Sequence, residues 1–175
     1  GFGLKSPRDD YYKVDPTLLG KDNENLLYIG EGYINYKNAN TTLKAGRQKL
    51  DTPLINADDA RMIPNLFEAY VLTNTDIQDT TIIAAHVTKM AQGTFGRVYD
   101  ASASAGNSLL SATAGYSLVD SRNQVGDFTN MGEYAIGEST AGVSVAAAIY
   151  SGKNGLKLQL WDYYAYDILN AIYAE

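Results

Sequence analysis

The chain contains no cysteine, which excludes disulfides and thiolate metal sites. It has a single histidine, His86, and one imidazole among scattered carboxylates makes a poor zinc ligand set. Basic residues are in the minority: 14 Lys and Arg stand against 20 Asp and Glu, for a net charge of −6. That balance argues against nucleic acid as a partner, because a phosphate backbone is bound by cationic surfaces. No stretch approaches the ~20 consecutive apolar residues of a membrane-spanning helix. The opening residues Gly1-Phe2-Gly3-Leu4 lack the basic, apolar and small-residue regions of a secretory signal, so the sequence reads as a mature chain or one whose start is missing. Proline is scarce at four residues, whereas there are 16 Gly and 14 Tyr, with many Asn, Thr, Ser and Ala. This is a profile of short strands joined by polar turns. At 175 residues the length is that of one domain. If the chain enters a membrane, it does so as strands.

Dyad alternation is the strongest local signal, because a strand with lipid on one side and water on the other must repeat every second residue. In 156–161 the apolar positions Leu156, Leu158 and Leu160 alternate with Lys157 and Gln159. In 143–150, Val143, Val145, Ala147 and Ile149 share one side. Between them lies Ser151-Gly152-Lys153-Asn154-Gly155, whose Asn-Gly step favours a tight turn. A second hairpin is expected from 26–37 and 41–50 around Asn38-Ala39-Asn40. A third is expected from 67–73 and 80–89 through 74–79, with both faces apolar at Tyr70-Val71-Leu72 and at Ile82-Ile83-Ala84-Ala85.

Connections between the hairpins, 51–66 and roughly 91–140, are long and rich in Gly, Asn, Asp and Ser. Short turns alternating with long loops are expected of an outer-membrane barrel, whereas a soluble sandwich spaces its turns evenly. A loop of that length counts against a compact soluble domain but can fold into a barrel lumen. Within it, 108–118 is expected to form a short strand or helix, and Asp100–Gly106 a flexible loop tip. The sequence has no internal repeat of fixed period.

Gly46-Arg47-Gln48 at a strand end, a loop with Pro53, Asp58-Asp59, Arg61 and Pro64, and a strand opening with Phe67-Glu68 together resemble the strand–loop–strand signature of the OprD family of porins. Segment 5–21 resembles an external loop of epsilonproteobacterial members, and 155–175 resembles a further hairpin turning within 163–170. The resemblance implies an all-β, transmembrane antiparallel β-barrel in which residues 1–175 are a single, partial domain: about seven strands of an 18-stranded barrel with long external loops. The chain stops at Ala174-Glu175 where a strand should continue. An open sheet with two unpaired edges is costly in lipid and should not conduct alone. The implied function is passive, substrate-selective diffusion of small polar or charged solutes, with no catalytic residues, cofactor or metal. The implied partners are outer-membrane lipid and solutes such as amino acids or carboxylates, and assembly into a homo-oligomer is left open.

A porin constriction is built by inward loops and by charges on opposed walls, where a fixed charge replaces part of a solute's lost hydration. Candidates are Asp58, Asp59 and Arg61 in the Pro-bounded loop; their plainer reading is a solvated loop in which a carboxylate pairs with Arg61. By alternation Lys44 faces away from Arg47 and Lys49, so Lys44 is the better lumen candidate, with Arg47 at the rim. Lys157 and Gln159 are pore-facing candidates that would serve equally well on a soluble sheet. Trp161, Tyr163, Tyr164, Tyr166, Tyr33 and Tyr36 are candidates for an aromatic girdle or simply residues of good strand propensity. His86 is expected to be a satisfied wall residue, since no Ser or Cys nucleophile motif accompanies it. Gly93-Thr94-Phe95-Gly96 is a loop, not a phosphate-binding turn. Two rivals remain: a soluble all-β binding or adhesion domain, whose Leu156/Leu158/Leu160 face would be covered by a second sheet, and a barrel-embedded hydrolase, which would need Ser and carboxylate partners for His86.

Overall fold

A computed structural model describes residues 2–3, 26–27, 29–58, 64–91, 93 and 127–175. Seven strands follow one another as an antiparallel meander: β3 (Gly32–Asn38), β4 (Thr41–Gln48), β5 (Leu66–Asn74), β6 (Thr80–Ala91), β8 (Val143–Ser151), β9 (Lys157–Ala165) and β10 (Leu169–Ala174). A three-residue strand, β7 (Phe128–Asn130), pairs with the end of β6 that extends past β8. Phe2–Gly3 (β1) and Leu26–Leu27 (β2) form a separate two-stranded pair, so the first hairpin begins at Gly32 and not at Leu26. Among the described residues the one helix is α1 (Met131–Ile136), and no helix is long and apolar enough to cross a membrane.

The expected hairpins form because polar turns interrupt alternating strands. Asn38 pairs with Thr41 across a two-residue turn in which Ala39 takes φ 49°. The Asn-Gly turn closes with Gly152 N–H donating to the Leu156 carbonyl at 2.8 Å, and Gly155 adopts φ 79°, a conformation that glycine reaches at little cost. In the β5–β6 turn the Asp76 carboxylate accepts from Asn74 at 2.6 Å and from Asn40 of the neighbouring turn at 2.9 Å. Those two bonds, Asn74 first, hold its pKa below the usual carboxylate value. Gly46 (φ 126°) is where β3 crosses closest: a Cβ there would lie 2.4 Å from the Gly32 carbonyl oxygen.

Register assigns each strand residue to one of two faces, because directly opposed residues in an antiparallel pair share a side. One face carries Tyr36, Leu43, Leu72, Ala84 and Ala146 in one row. The next row toward the short turns contains Ile82, Ala148 and Leu160. This leucine face is open: Leu156, Leu158 and Leu160 are 54%, 51% and 54% exposed. Among the described residues no second sheet covers it, contrary to what a soluble sandwich requires. The apolar belt also steps along the sheet. The row through Leu43 and Leu72 reaches Asp162 in β9, two residues past the leucines of that strand. Strands tilted to a barrel axis displace a level belt against the hydrogen-bonded rows.

The opposite face is covered at its loop end. Phe67, Ala69, Val87, Met90, Val143, Val145, Ala147, Trp161 and Tyr163 cluster there, and Ile55 from the β4–β5 connection is inserted among them. We call it the loop face. The sequence-based girdle therefore divides. Trp161 and Tyr163 lie in this cluster, 4% and 3% exposed; Tyr33 shares their face by register but is exposed, and Tyr36 and Tyr164 are exposed on the leucine face, as is Tyr166 in the β9–β10 turn. Alternation tells faces apart but not which face a loop will cover.

The connection read from sequence as continuous loop from about 91 to 140 contains β7 and α1. Both are too short for periodicity to reveal. Their ends are fixed by specific bonds: Asn130 caps α1 by accepting from Gly132 N–H at 2.9 Å and donates to the Thr140 carbonyl at 2.7 Å. Thr140 Oγ1 in turn donates to the Tyr166 carbonyl at 2.7 Å, tying the return of this connection to the β9–β10 turn. The expectations for 5–21, 100–106 and 108–118 lie outside the described residues.

Candidate functional site

The loop face offers the arrangement best suited to handling a solute. Toward the short turns it is polar: Lys37, Thr42, Lys44, Thr73 and Thr81 on β3–β6, then Ser151, Lys157 and Gln159 on β8 and β9. Toward the long connections it is apolar and covered by segment 51–57. Lys44 lies with its ammonium 3.8 Å from the centroid of the Tyr33 ring, a cation–π contact that fixes the charge on this face. Lys157 opposes Ser151, and Gln159 opposes Ile149 on the same side. Gln159 accepts from Trp161 Nε1 at 3.0 Å and donates to the Glu175 carboxylate, which also accepts from the Tyr173 hydroxyl at 2.8 Å. Lys44, Lys157 and Gln159 are thus brought onto one face.

Arg47 is not brought there. It falls on the leucine face opposite Glu68, with Nε 3.1 Å from Glu68 Oε1, Nη1 donating to the Ile29 carbonyl at 3.3 Å and its guanidinium over Phe128 at 4.1 Å. Lys89 approaches the same carboxylate at 3.6 Å. Asp58 is exposed at the end of the covering segment with φ 45°, its N–H donating to Asn56 Oδ1 at 2.7 Å. Asp59 and Arg61 lie outside the described residues.

The covering segment is held by its own bonds. Thr52 N–H and Oγ1 both donate to the Ile55 carbonyl at 2.9 Å, Ala57 N–H donates to Asp51 Oδ1 at 3.3 Å, and Asn65 N–H donates to the Ala57 carbonyl at 2.7 Å. The segment therefore presents few free backbone groups to the apolar surface beneath it. Buried Gln48, at the foot of the loop, donates to the Gly46 and Ala69 carbonyls.

His86 sits on the leucine face at the loop-side rim. Its Nδ1 is 3.1 Å from Ser144 Oγ and its Nε2 is 3.2 Å from the Ala141 carbonyl, while Ser144 Oγ is 3.2 Å from the Tyr166 hydroxyl. A serine does accompany it, which sequence reading missed because Ser144 is 58 residues away. Both ring nitrogens are taken up, and a carbonyl stands where a base-orienting carboxylate would be required. Also missed were Tyr173 on β10 and Glu175 just past its end, and the contact between Lys44 and Tyr33. Their signal was alternation in a strand too short to read, or a partner visible only once register was known.

The family model for outer membrane porins of the OprD family matches residues 20–175. Among curated protein sequences, none matches the chain. The solved structure of OccD3 (OpdP) from Pseudomonas aeruginosa superposes with a TM-score of 0.60 at 16% identity, covering 86% of this chain and 30% of that one. OpdK from the same organism, crystallised with vanillate, gives 0.57 at 17% identity over 81% of this chain and 30% of its own. OccAB1 from Acinetobacter baumannii gives 0.55 at 20% identity, with 81% and 26% covered. The chain thus spans about 30% of the length of OccD3 and OpdK. Open leucine face, loop packed on the opposite face and family match agree: the chain belongs to the OprD family of outer membrane porins, and its sheet is a portion of a porin barrel wall.

Proposed function

We propose that this chain forms part of the wall of a passive, substrate-selective channel for small polar or charged solutes, with the leucine face toward lipid and the loop face toward the lumen. One observation carries the reading. The polar residues Lys44, Lys157 and Gln159 share a face with the inward-packed 51–57 segment, and the apolar belt occupies the other. Lys44, Lys157 and Gln159 line the lumen, and the loop carrying Asp58, Asp59 and Arg61 narrows it. Arg47 belongs to the outer rim, neutralised by Glu68. Fixed charges in a narrow, poorly hydrated passage interact with a solute far more strongly than in bulk water.

The solute class is small carboxylates or amino acids. Supporting this are the basic residues of the lumen face and, by likeness of fold, the vanillate in the OpdK crystal structure. The test uses the longer protein that contains this chain, reconstituted in liposomes. The Lys44→Cys variant reacts with a membrane-impermeant charged thiol reagent and its modification slows uptake of a small carboxylate, whereas Leu43→Cys stays unreactive. Equal reactivity at both positions, or no uptake by the unmodified protein, refutes the proposal.

A further inference from the structure

The covering segment reaches a long way from its roots. It leaves β4 and returns to β5, yet Leu54 N–H donates to the hydroxyl of Tyr163 on β9 at 3.4 Å, 109 residues away in sequence. Between β4 and β9 stand β5, β6 and β8. Ile55, next to Leu54, fills the apolar cluster that Tyr163 also lines. Among the described residues the other hydrogen bonds of 51–57 are internal or lead to the adjoining Asp58 and to Asn65, close to where the loop re-enters the sheet. The Tyr163 hydroxyl is therefore the polar contact, among the described residues, that joins the tip to β9, four strands along the same sheet from β4.

Tyr163 is itself held. Its ring stacks on Trp161 at 6.1 Å with 14° between the planes. Trp161 Nε1 donates to Gln159, and Gln159 is bound to Glu175. Alternate residues of β9 thus form a ladder from the loop tip to the polar part of the same face. Nothing in the composition of the loop identifies this anchor; the register of β9 does.

We infer that Tyr163 is a positioning residue that latches the 51–57 segment across the loop face and so sets the width of the passage. The inference deepens the channel reading and rests on it for its effect on conduction, but the latch itself is a statement about the loop. A net hydrogen bond of ordinary strength corresponds to about a 2- to 12-fold change in the population of the detached loop. Tyr163→Phe removes the hydroxyl and keeps the ring, so the stack on Trp161 and the fold survive.

This chain has no cysteine of its own to compete for a label. In the longer, reconstituted protein, a nitroxide is attached through Leu54→Cys, at a position that is exposed beside the latch, and its spectrum is read with Tyr163 intact and with Tyr163→Phe. Tyr164→Phe, on the opposite face of the same strand, is the control. The latch requires the mobile spectral component to grow severalfold in Tyr163→Phe and not in Tyr164→Phe. In planar bilayers the unlabelled Tyr163→Phe channel then shows increased open-channel current noise. Mobilisation without any conductance steps from the parent protein would keep the latch and overturn the channel reading. An unchanged spectrum at position 54 overturns the latch, whatever the currents do.

Discussion

Placing a charge on the leucine face distinguishes a lipid-facing wall from any other use of this sheet. Leu160 lies within the apolar belt, opposite Ala148 on β8 and Ala174 on β10. In Leu160→Arg a guanidinium replaces an isobutyl group with no acidic partner at either directly opposed position. For barrels in bilayers such a change costs about 2–4 kcal/mol near the midplane, falling toward zero at the interfaces. The companion variant Thr73→Arg puts the same side chain on the other face, between Thr42 and Ile83; if that face is the proposed lumen side, the cost is about 0.5 kcal/mol or less, as for ordinary surface substitutions. The assay is reversible urea unfolding of the longer protein in phospholipid vesicles, followed by tryptophan fluorescence. A difference of about 2 kcal/mol or more between the two variants is expected. Equal costs, or a greater cost for Thr73→Arg, would refute the face assignment and the register behind it.

Three further outcomes follow from local geometry. Gly46→Val sets a branched side chain where even a Cβ would lie 2.4 Å from the Gly32 carbonyl oxygen, at φ 126°; β3 should separate from β4, read as loss of amide protection in 32–38 by hydrogen exchange. Ile55→Ala removes the side chain that packs the loop onto the sheet; about 2–5 kcal/mol of local docking energy is lost, and proteolysis within 49–65 should accelerate while the strands stay protected. The Asp76 carboxyl, held below its ordinary value of 3.8 by Asn74 and then Asn40, contributes turn stability that is present above the unfolded pKa and disappears as pH falls through the lower folded one. Its NMR titration midpoint should lie below 3.8 and rise in Asn74→Ala; an unchanged midpoint would contradict the turn geometry.

Much of the fold was legible because its physics is local. The Leu156/Leu158/Leu160 alternation, the Asn154-Gly155 turn and the polar turns at 38–40 and 74–79 each depend on neighbours in sequence. The hairpins they predict are those observed, with ends moved by a few residues. The same alternation placed Lys44 and Arg47 on opposite faces. What could not be read depends on residues far apart. Trp161 and Tyr163 resembled girdle aromatics until Ile55 was seen packed against them. Ser144 beside His86, and Tyr33 beneath Lys44, are products of register across strands. β7 exists because β6 outruns β8 and leaves an edge to pair, something a three-residue segment cannot announce.

Single-channel recording in planar bilayers, on the longer protein containing this chain, decides whether the sheet is the wall of a channel. The account expects discrete ohmic steps whose anion preference falls in the Lys44→Glu, Lys157→Glu variant and whose cation preference falls when Asp58 and Asp59 become Asn. A correctly inserted protein that gives no steps, or steps whose selectivity is indifferent to all four positions, would contradict it.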